Sequence, residues 1–228
     1  MTRFAKPDTV ACPYCNQYYS RKVLLSFNNK WEITYSDGGS AMGLSDVLIN
    51  ETRCTKCCQI MLDVQDLPAL NVAVVGPFWK TWFSQTPEYL YLPQATSDVY
   101  LELFKLDAED DKKMQYALQA YRLFNRTYRQ EDKNTLPSET DQQQYAQVAS
   151  YILASPPAKY MPEYILLCAD IHRQRGEFAH AQAHYESVYE DEFSHIVDQG
   201  LTWCDNKQTR LMIVKLPERH ANARVAVV

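Results

Sequence analysis

A chain of 228 residues accommodates one large domain, or one domain and a small module. Its formal net charge of −5 gives no overall attraction for polyanions, so a nucleic-acid-binding role needs a local basic patch. The best apolar stretch, LNVAVV (70–75), stops at Gly76-Pro77, short of a bilayer span, and the opening MTRFAKPDTV lacks the apolar core of a signal peptide.

A cytoplasmic location is expected, and there seven cysteines point to metal or redox chemistry rather than to structural disulfides. Four fall in two Cys-x2-Cys pairs, Cys12/Cys15 and Cys54/Cys57, with 38 residues between the pairs. CPYC (12–15) is also the active-site motif of glutaredoxins, where the dithiol follows a strand and caps a helix. Here Lys6-Pro7-Asp8-Thr9 makes a poor buried strand, NQYYSRKVLLSF has no helical period, and a redox reading leaves the second pair without a role. A zinc ribbon uses both pairs: each wraps a tight turn whose N–H groups face the sulfurs, and four thiolates suit tetrahedral Zn2+. The expected ligands are Cys12, Cys15, Cys54 and Cys57; Cys58 is an adjacent thiol, but the x2 spacing favours Cys57. Asn16 tolerates the left-handed backbone expected after the first turn.

Between the pairs, VLLSF (23–27) and KWEITY (30–35) read as a hairpin turning at Asn28-Asn29, with Trp31, Ile33 and Tyr35 on one apolar face. SDGGSAMG (36–43) reads as a loop, and QIMLDV (59–64) as a further strand. So small a β module has little core of its own, and a metal supplies the missing staple. Gly38-x4-Gly43-Leu44-Ser45 approaches a phosphate-binding loop but has Leu44 where the lysine belongs, and is rejected.

PFWKTWFSQTPEYLYLP (77–93) reads as a connecting segment. From Ser97 onward helical periodicity takes over, with helices expected at VYLELFKL, at 112–130 (Met114, Ala117, Leu118, Tyr121 and Phe124 on one stripe), at 141–154, and from Pro162. Asp107–Asp111 and Glu190–Glu192 read as helix ends and exposed faces, and Cys168 and Cys204 as packed thiols. Gly176-Glu-Phe178-x2-Ala181-x3-Tyr185 matches the turn and second helix of a tetratricopeptide (TPR) repeat, with Ala169 as the small residue that admits the second helix. Only one copy is evident, so neighbouring helices must cover its apolar face. His180 and His184 share a helix face at i, i+4, but nothing in the sequence brings Glu177 or Glu186 to them, and a solvated face is expected.

CPYC (12–15), CTKC (54–57) and YILLCADIHRQRGEFAHAQAHY (164–185) together resemble a family of uncharacterised bacterial proteins, a domain of unknown function with an N-terminal zinc ribbon and TPR-like C-terminal helices. That family favours Gly after each second Cys, where this chain has Asn16 and Cys58. The resemblance implies a fold and a metal site but no activity.

The expected organisation is α+β: a zinc-ribbon-like β module over 1–76, a connector over 77–96 and a TPR-like helical domain over 97–228. The leading functional expectation is a non-enzymatic adapter that takes a protein or peptide partner in the helical groove, with His172 at the groove and Ala169, Gly176, Phe178, Ala181 and Tyr185 packing the helix pair. The alternative is a nucleic-acid-binding ribbon. Residues 1–66 balance seven Lys/Arg against seven Asp/Glu, yet Arg21, Lys22 and Lys30 beside Tyr18, Tyr19 and Trp31 offer a stacking surface. A thiol redox enzyme using CPYC ranks third.

Overall fold

Four short strands open the chain: β1 (Arg3–Phe4), β2 (Asp8–Ala11), β3 (Tyr18–Arg21) and β4 (Leu24–Ser26). The computed structural model describes residues 3–26, 33–38, 40–41, 50–70, 89–106, 109–128 and 136–215. Asn28-Asn29, Lys30, Trp31, Leu44-Ser45, most of 70–75 and most of 77–93 lie outside the described residues. β2 pairs antiparallel with β3, and β1 with β4. After β5 (Ile33–Thr34) and β6 (Ser40–Ala41), the second cysteine pair is flanked by β7 (Thr52–Arg53) and β8 (Ile60–Met61), again antiparallel. The expected strand at 59–64 is cut to two residues because Asp63 adopts a left-handed φ of 48° and starts a 3-10 turn at Val64.

The described residues fall into two compact units, Met1–Glu32 with Met42–Glu102 and Ile33–Ala41 with Leu103–Val228. This differs from the linear division expected from sequence. Among the described residues, VLLSF and KWEITY do not pair with each other as predicted: Leu24 pairs with Phe4 and Ile33 with Ala41. The chain reverses instead at Asp37-Gly38, a stronger turn signal than Asn-Asn, with Gly38 at φ 69° and its N–H on the Tyr35 carbonyl at 3.0 Å. Tyr35 bridges to Ile213, and the Ser36 N–H donates to the Met212 carbonyl at 2.8 Å, so this segment belongs to the helical unit.

In the first unit, Val10, Tyr19, Met61, Val64 and Leu92 are buried around Cys12 and Cys54. Arg21 is buried beneath them. Its guanidinium donates to both carboxylate oxygens of Asp8 at 3.0 and 2.5 Å, and one nitrogen reaches the carbonyls of Val64, Gln65 and Leu67 at 2.8, 2.7 and 2.9 Å. It thereby pins the 3-10 turn to the β2–β3 hairpin.

The helices are α1 (Ser97–Lys105), α2 (Asp110–Tyr128), α3 (Glu139–Ala154), α4 (Pro162–Gln174), α5 (Phe178–Glu186) and α6 (Ser194–Asp205). α3 starts two residues before the sequence expectation because Ser138 and Asp141 form a capping box. Pro162 stands in the first turn of α4, where its missing N–H costs nothing. On α2, Ala117, Tyr121 and Phe124 are buried while Met114 and Leu118 are half-buried. The rings of Tyr121 and Phe124 stack on Tyr145 of α3 at 4.9 and 4.1 Å.

α4, α5 and α6 enclose Leu166, Ala169, Ala181, Tyr185, Val188 and Cys204. Gly200 of α6 admits the Tyr185 ring so closely that a Cβ there would lie 2.4 Å from it. A buried polar network joins the Ile33–Ala41 segment to this unit. Arg173, wholly inaccessible, donates to Asp170 at 2.5 Å, to the Gln208 carbonyl at 2.6 Å and to Ser36 at 3.1 Å, and its guanidinium lies 5.3 Å from the Trp203 ring. Asn125 donates to Asp37 at 2.9 Å and accepts from Tyr145 at 2.9 Å. Among the described residues, no helix is long and apolar enough to cross a membrane.

Candidate metal centre

The two cysteine turns are built alike. In the first, the Cys12 N–H donates to the Gln17 carbonyl at 2.8 Å and the Asn16 N–H to the Cys12 carbonyl at 2.9 Å. In the second, the Cys54 N–H donates to Gln59 at 2.9 Å and the Cys58 N–H to Cys54 at 2.9 Å. Asn16 at φ 57° and Cys58 at φ 61° occupy equivalent left-handed positions, where the chain must turn back into β3 and β8. Cys58 is held there by the turn, with its side chain exposed and apart from the other four sulfurs.

Those turns bring the Sγ atoms of Cys12, Cys15, Cys54 and Cys57 within 4.8 Å of one another. Two pairs cross between the turns, Cys12 to Cys57 at 3.8 Å and Cys15 to Cys54 at 3.7 Å. Four sulfurs at about 2.3 Å from a central ion would be separated by about 3.8 Å along each tetrahedral edge. The spacing of these pairs is therefore that of a four-thiolate sphere around an ion of zinc's size. CPYC leads into β3 rather than into a helix, so the helix N-terminus that activates a glutaredoxin-type dithiol is missing from this site.

Tyr19 sets the surroundings of one ligand. Its side chain is buried, and its oxygen lies 3.2 Å from Cys54 Sγ, 2.9 Å from the Thr55 hydroxyl and 2.9 Å from the Thr55 N–H. The Thr55 N–H donates to the phenol oxygen, which leaves the phenol proton for the sulfur or the Thr55 hydroxyl. Burial works to raise the Cys54 thiol, but the Tyr19 hydroxyl and the N–H groups of Cys57 and Lys56 outweigh it and bring the pKa down to about 6. At Cys57 the Gln59 N–H favours the thiolate, yet desolvation and the sulfurs of Cys15, Cys54 and Cys12 push it up to about 12. Burial likewise raises Cys12. Four thiols this close cannot all ionise by themselves; a dication held at their centre would supply the compensating charge.

The surface expected for nucleic acid is altered by this arrangement. Tyr19 and Arg21 face the interior and are unavailable to a ligand, whereas Tyr18 is exposed with its ring 5.4 Å from Tyr89, and the Lys22 amine lies 5.6 Å from the exposed Tyr91 ring. In the helical unit, Ala169 and Ala181 are wholly buried in one cluster with Tyr185, and Phe178 packs against its edge. Gly176 has φ 78°, and a Cβ there would meet nothing within 4 Å, so the backbone angle alone explains the glycine. Cys168 and Cys204 are buried, and burial raises both thiols. His172 is half-buried with Nδ1 2.5 Å from a Glu177 carboxylate oxygen. Glu177, which the sequence left without a reason to converge on the histidines, thus does so across the turn. Tyr19 and Thr55 were also missed as neighbours of the site, because their contact joins residues 36 positions apart.

Comparison of the chain with protein families, curated proteins and solved structures returns no match, so the site rests on its own geometry.

Proposed function

We propose that the chain is a non-enzymatic adapter: a unit folded around one structural zinc ion, joined to a TPR-like helical unit that takes a protein or peptide partner in the cytoplasm. The observation that carries the reading is the set of four sulfurs within 4.8 Å of one another, two of their pairs at tetrahedral edge spacing. Cys12, Cys15, Cys54 and Cys57 would hold the ion, which would crosslink the two hairpins beside the small cluster of Val10, Tyr19, Met61, Val64 and Leu92. Four protein thiolates fill zinc's coordination sphere and leave no position for a substrate, which favours a structural role. The close α4–α5 pair, with Ala169 and Ala181 at its contact, supports the TPR-like comparison, as does the resemblance of the three cysteine and helix motifs to the ribbon-plus-helices family.

Affinity capture from the native cell tests the adapter role. Wild type and Cys12→Ser are compared, with zinc measured on both. A partner retained by Cys12→Ser assigns the surface to the helical unit, and absence of any specific partner contradicts the adapter reading. A nucleic-acid role has one observation in its favour, the exposed Lys22, Tyr18 and Tyr91 with the half-buried Tyr89 beside Tyr18. Filter binding to single strands across salt concentrations, with Lys22→Ala and Tyr91→Ala as controls, distinguishes it.

A further inference from the structure

The turn between α4 and α5 gathers a second set of metal-binding side chains. After Gln174, the Gly176 N–H donates to the Arg173 carbonyl at 2.9 Å and the Glu177 N–H to the His172 carbonyl at 2.9 Å. This is the double hydrogen bond of a Schellman turn, and it fixes the backbones of His172 and Glu177 against each other. Glu177 and His180 are three residues apart at the start of α5, so they share a face. One ring nitrogen each of His172 and His180 and a Glu177 carboxylate oxygen all lie within 4.8 Å of one another. His184, one turn further along α5, stacks on His172 with centroids 5.2 Å apart and planes within 13°. It buttresses the ring and stands outside the group of three.

The geometry points to a second, exchangeable zinc site formed by His172, Glu177 and His180. Two imidazoles and a carboxylate are a donor set that zinc accepts, with bonds of about 2.0–2.2 Å. Neighbouring donors on such an ion stand about 3.4 Å apart at tetrahedral angles. The ion would enter between His172 and Glu177 in place of the shared proton, moving that pair apart and drawing His180 in. Glu177 and His180 are exposed and free to make that adjustment, while the turn holds the backbone. Three protein ligands leave one position open to water, and the site faces solvent. It should therefore exchange its ion readily, unlike the closed four-thiolate sphere. The donors belong entirely to the helical unit, so this site stands or falls independently of the cysteine centre.

The test is equilibrium dialysis of the full chain against micromolar free Zn2+, followed by elemental analysis before and after treatment with a weak chelator. Wild type should bind one zinc that the chelator removes, beyond any it leaves in place. His172→Ala and His180→Ala should each lose that labile equivalent, with an affinity drop exceeding the roughly 10–100-fold that removal of an outer-shell partner costs. Cys12→Ser should keep it. Their melting temperatures without added metal report folding; because His180 is exposed, His180→Ala in particular should melt as wild type does. Absence of a labile equivalent in wild type, or its survival undiminished in folded His180→Ala, overturns the assignment.

Discussion

Cys58→Gly is expected to tighten zinc binding, although it removes a cysteine beside the metal centre. Cys58 has φ 61°, and a left-handed backbone costs an L-residue roughly 1–2 kcal/mol. Glycine removes that strain but loses roughly 0.5–1 kcal/mol through the greater freedom of the unfolded chain. The net gain is about 0.5–1 kcal/mol. Other contacts survive the change, because Arg53 Nη1 donates to the Cys58 carbonyl at 3.0 Å and the Cys58 N–H bonds to the Cys54 carbonyl, both through the backbone. If the metal and the fold of this unit are coupled, the gain appears as an increase of about 2–5-fold in zinc affinity. Asn16→Gly, at the equivalent position of the first turn, should gain less, since Asn accepts the left-handed region more readily. Competition against a chromophoric chelator measures both variants, with zinc counted per chain. Loss of zinc from Cys58→Gly would make Cys58 a ligand in place of Cys57, and an unchanged or weakened affinity would refute the strain argument.

Three further outcomes follow from particular contacts. Tyr19→Phe removes the hydroxyl that meets Cys54 Sγ and leaves the Thr55 N–H without its partner, so zinc affinity in the same competition assay should fall about 10–100-fold while Cys58→Gly raises it. Gly176→Ala meets no steric neighbour, so it should cost the helical unit only the backbone strain of about 1–2 kcal/mol in chemical denaturation, and Gly176→Asn less; a much larger loss would point to a close contact there. Asp170→Ala leaves the wholly buried Arg173 without its counter-charge and should cost roughly 3–5 kcal/mol, seen as a lowered unfolding midpoint of the helical unit with the zinc content of the cysteine site unchanged.

The cysteine turns were legible in the sequence because ligand spacing is a local property: two residues between thiols already dictate a tight turn. Helices α2 to α5 were legible for the same reason, since periodicity and capping act within a few residues of each other. What escaped depends on partners far along the chain. Ser36 and Asp37 read as part of a loop, but they meet Arg173 and Asn125, 137 and 88 positions away, and no local signal reports that. Arg21 read as a surface cation because its neighbours in sequence are polar and aromatic. Its fate is decided by three carbonyls between Val64 and Leu67, which a sequence pattern cannot show. The His172–Glu177 contact was hidden by a turn whose hydrogen bonds bring residues five apart together.

X-ray absorption spectroscopy at the zinc edge tests the central claim most directly, on protein purified under reducing conditions and treated with a weak chelator to clear loosely held metal. The account predicts about one zinc per chain with four sulfur neighbours at about 2.3 Å and no oxygen or nitrogen in the first shell. Protein without zinc and with a Cys12–Cys15 disulfide, or zinc whose first shell contains nitrogen or oxygen, would contradict it.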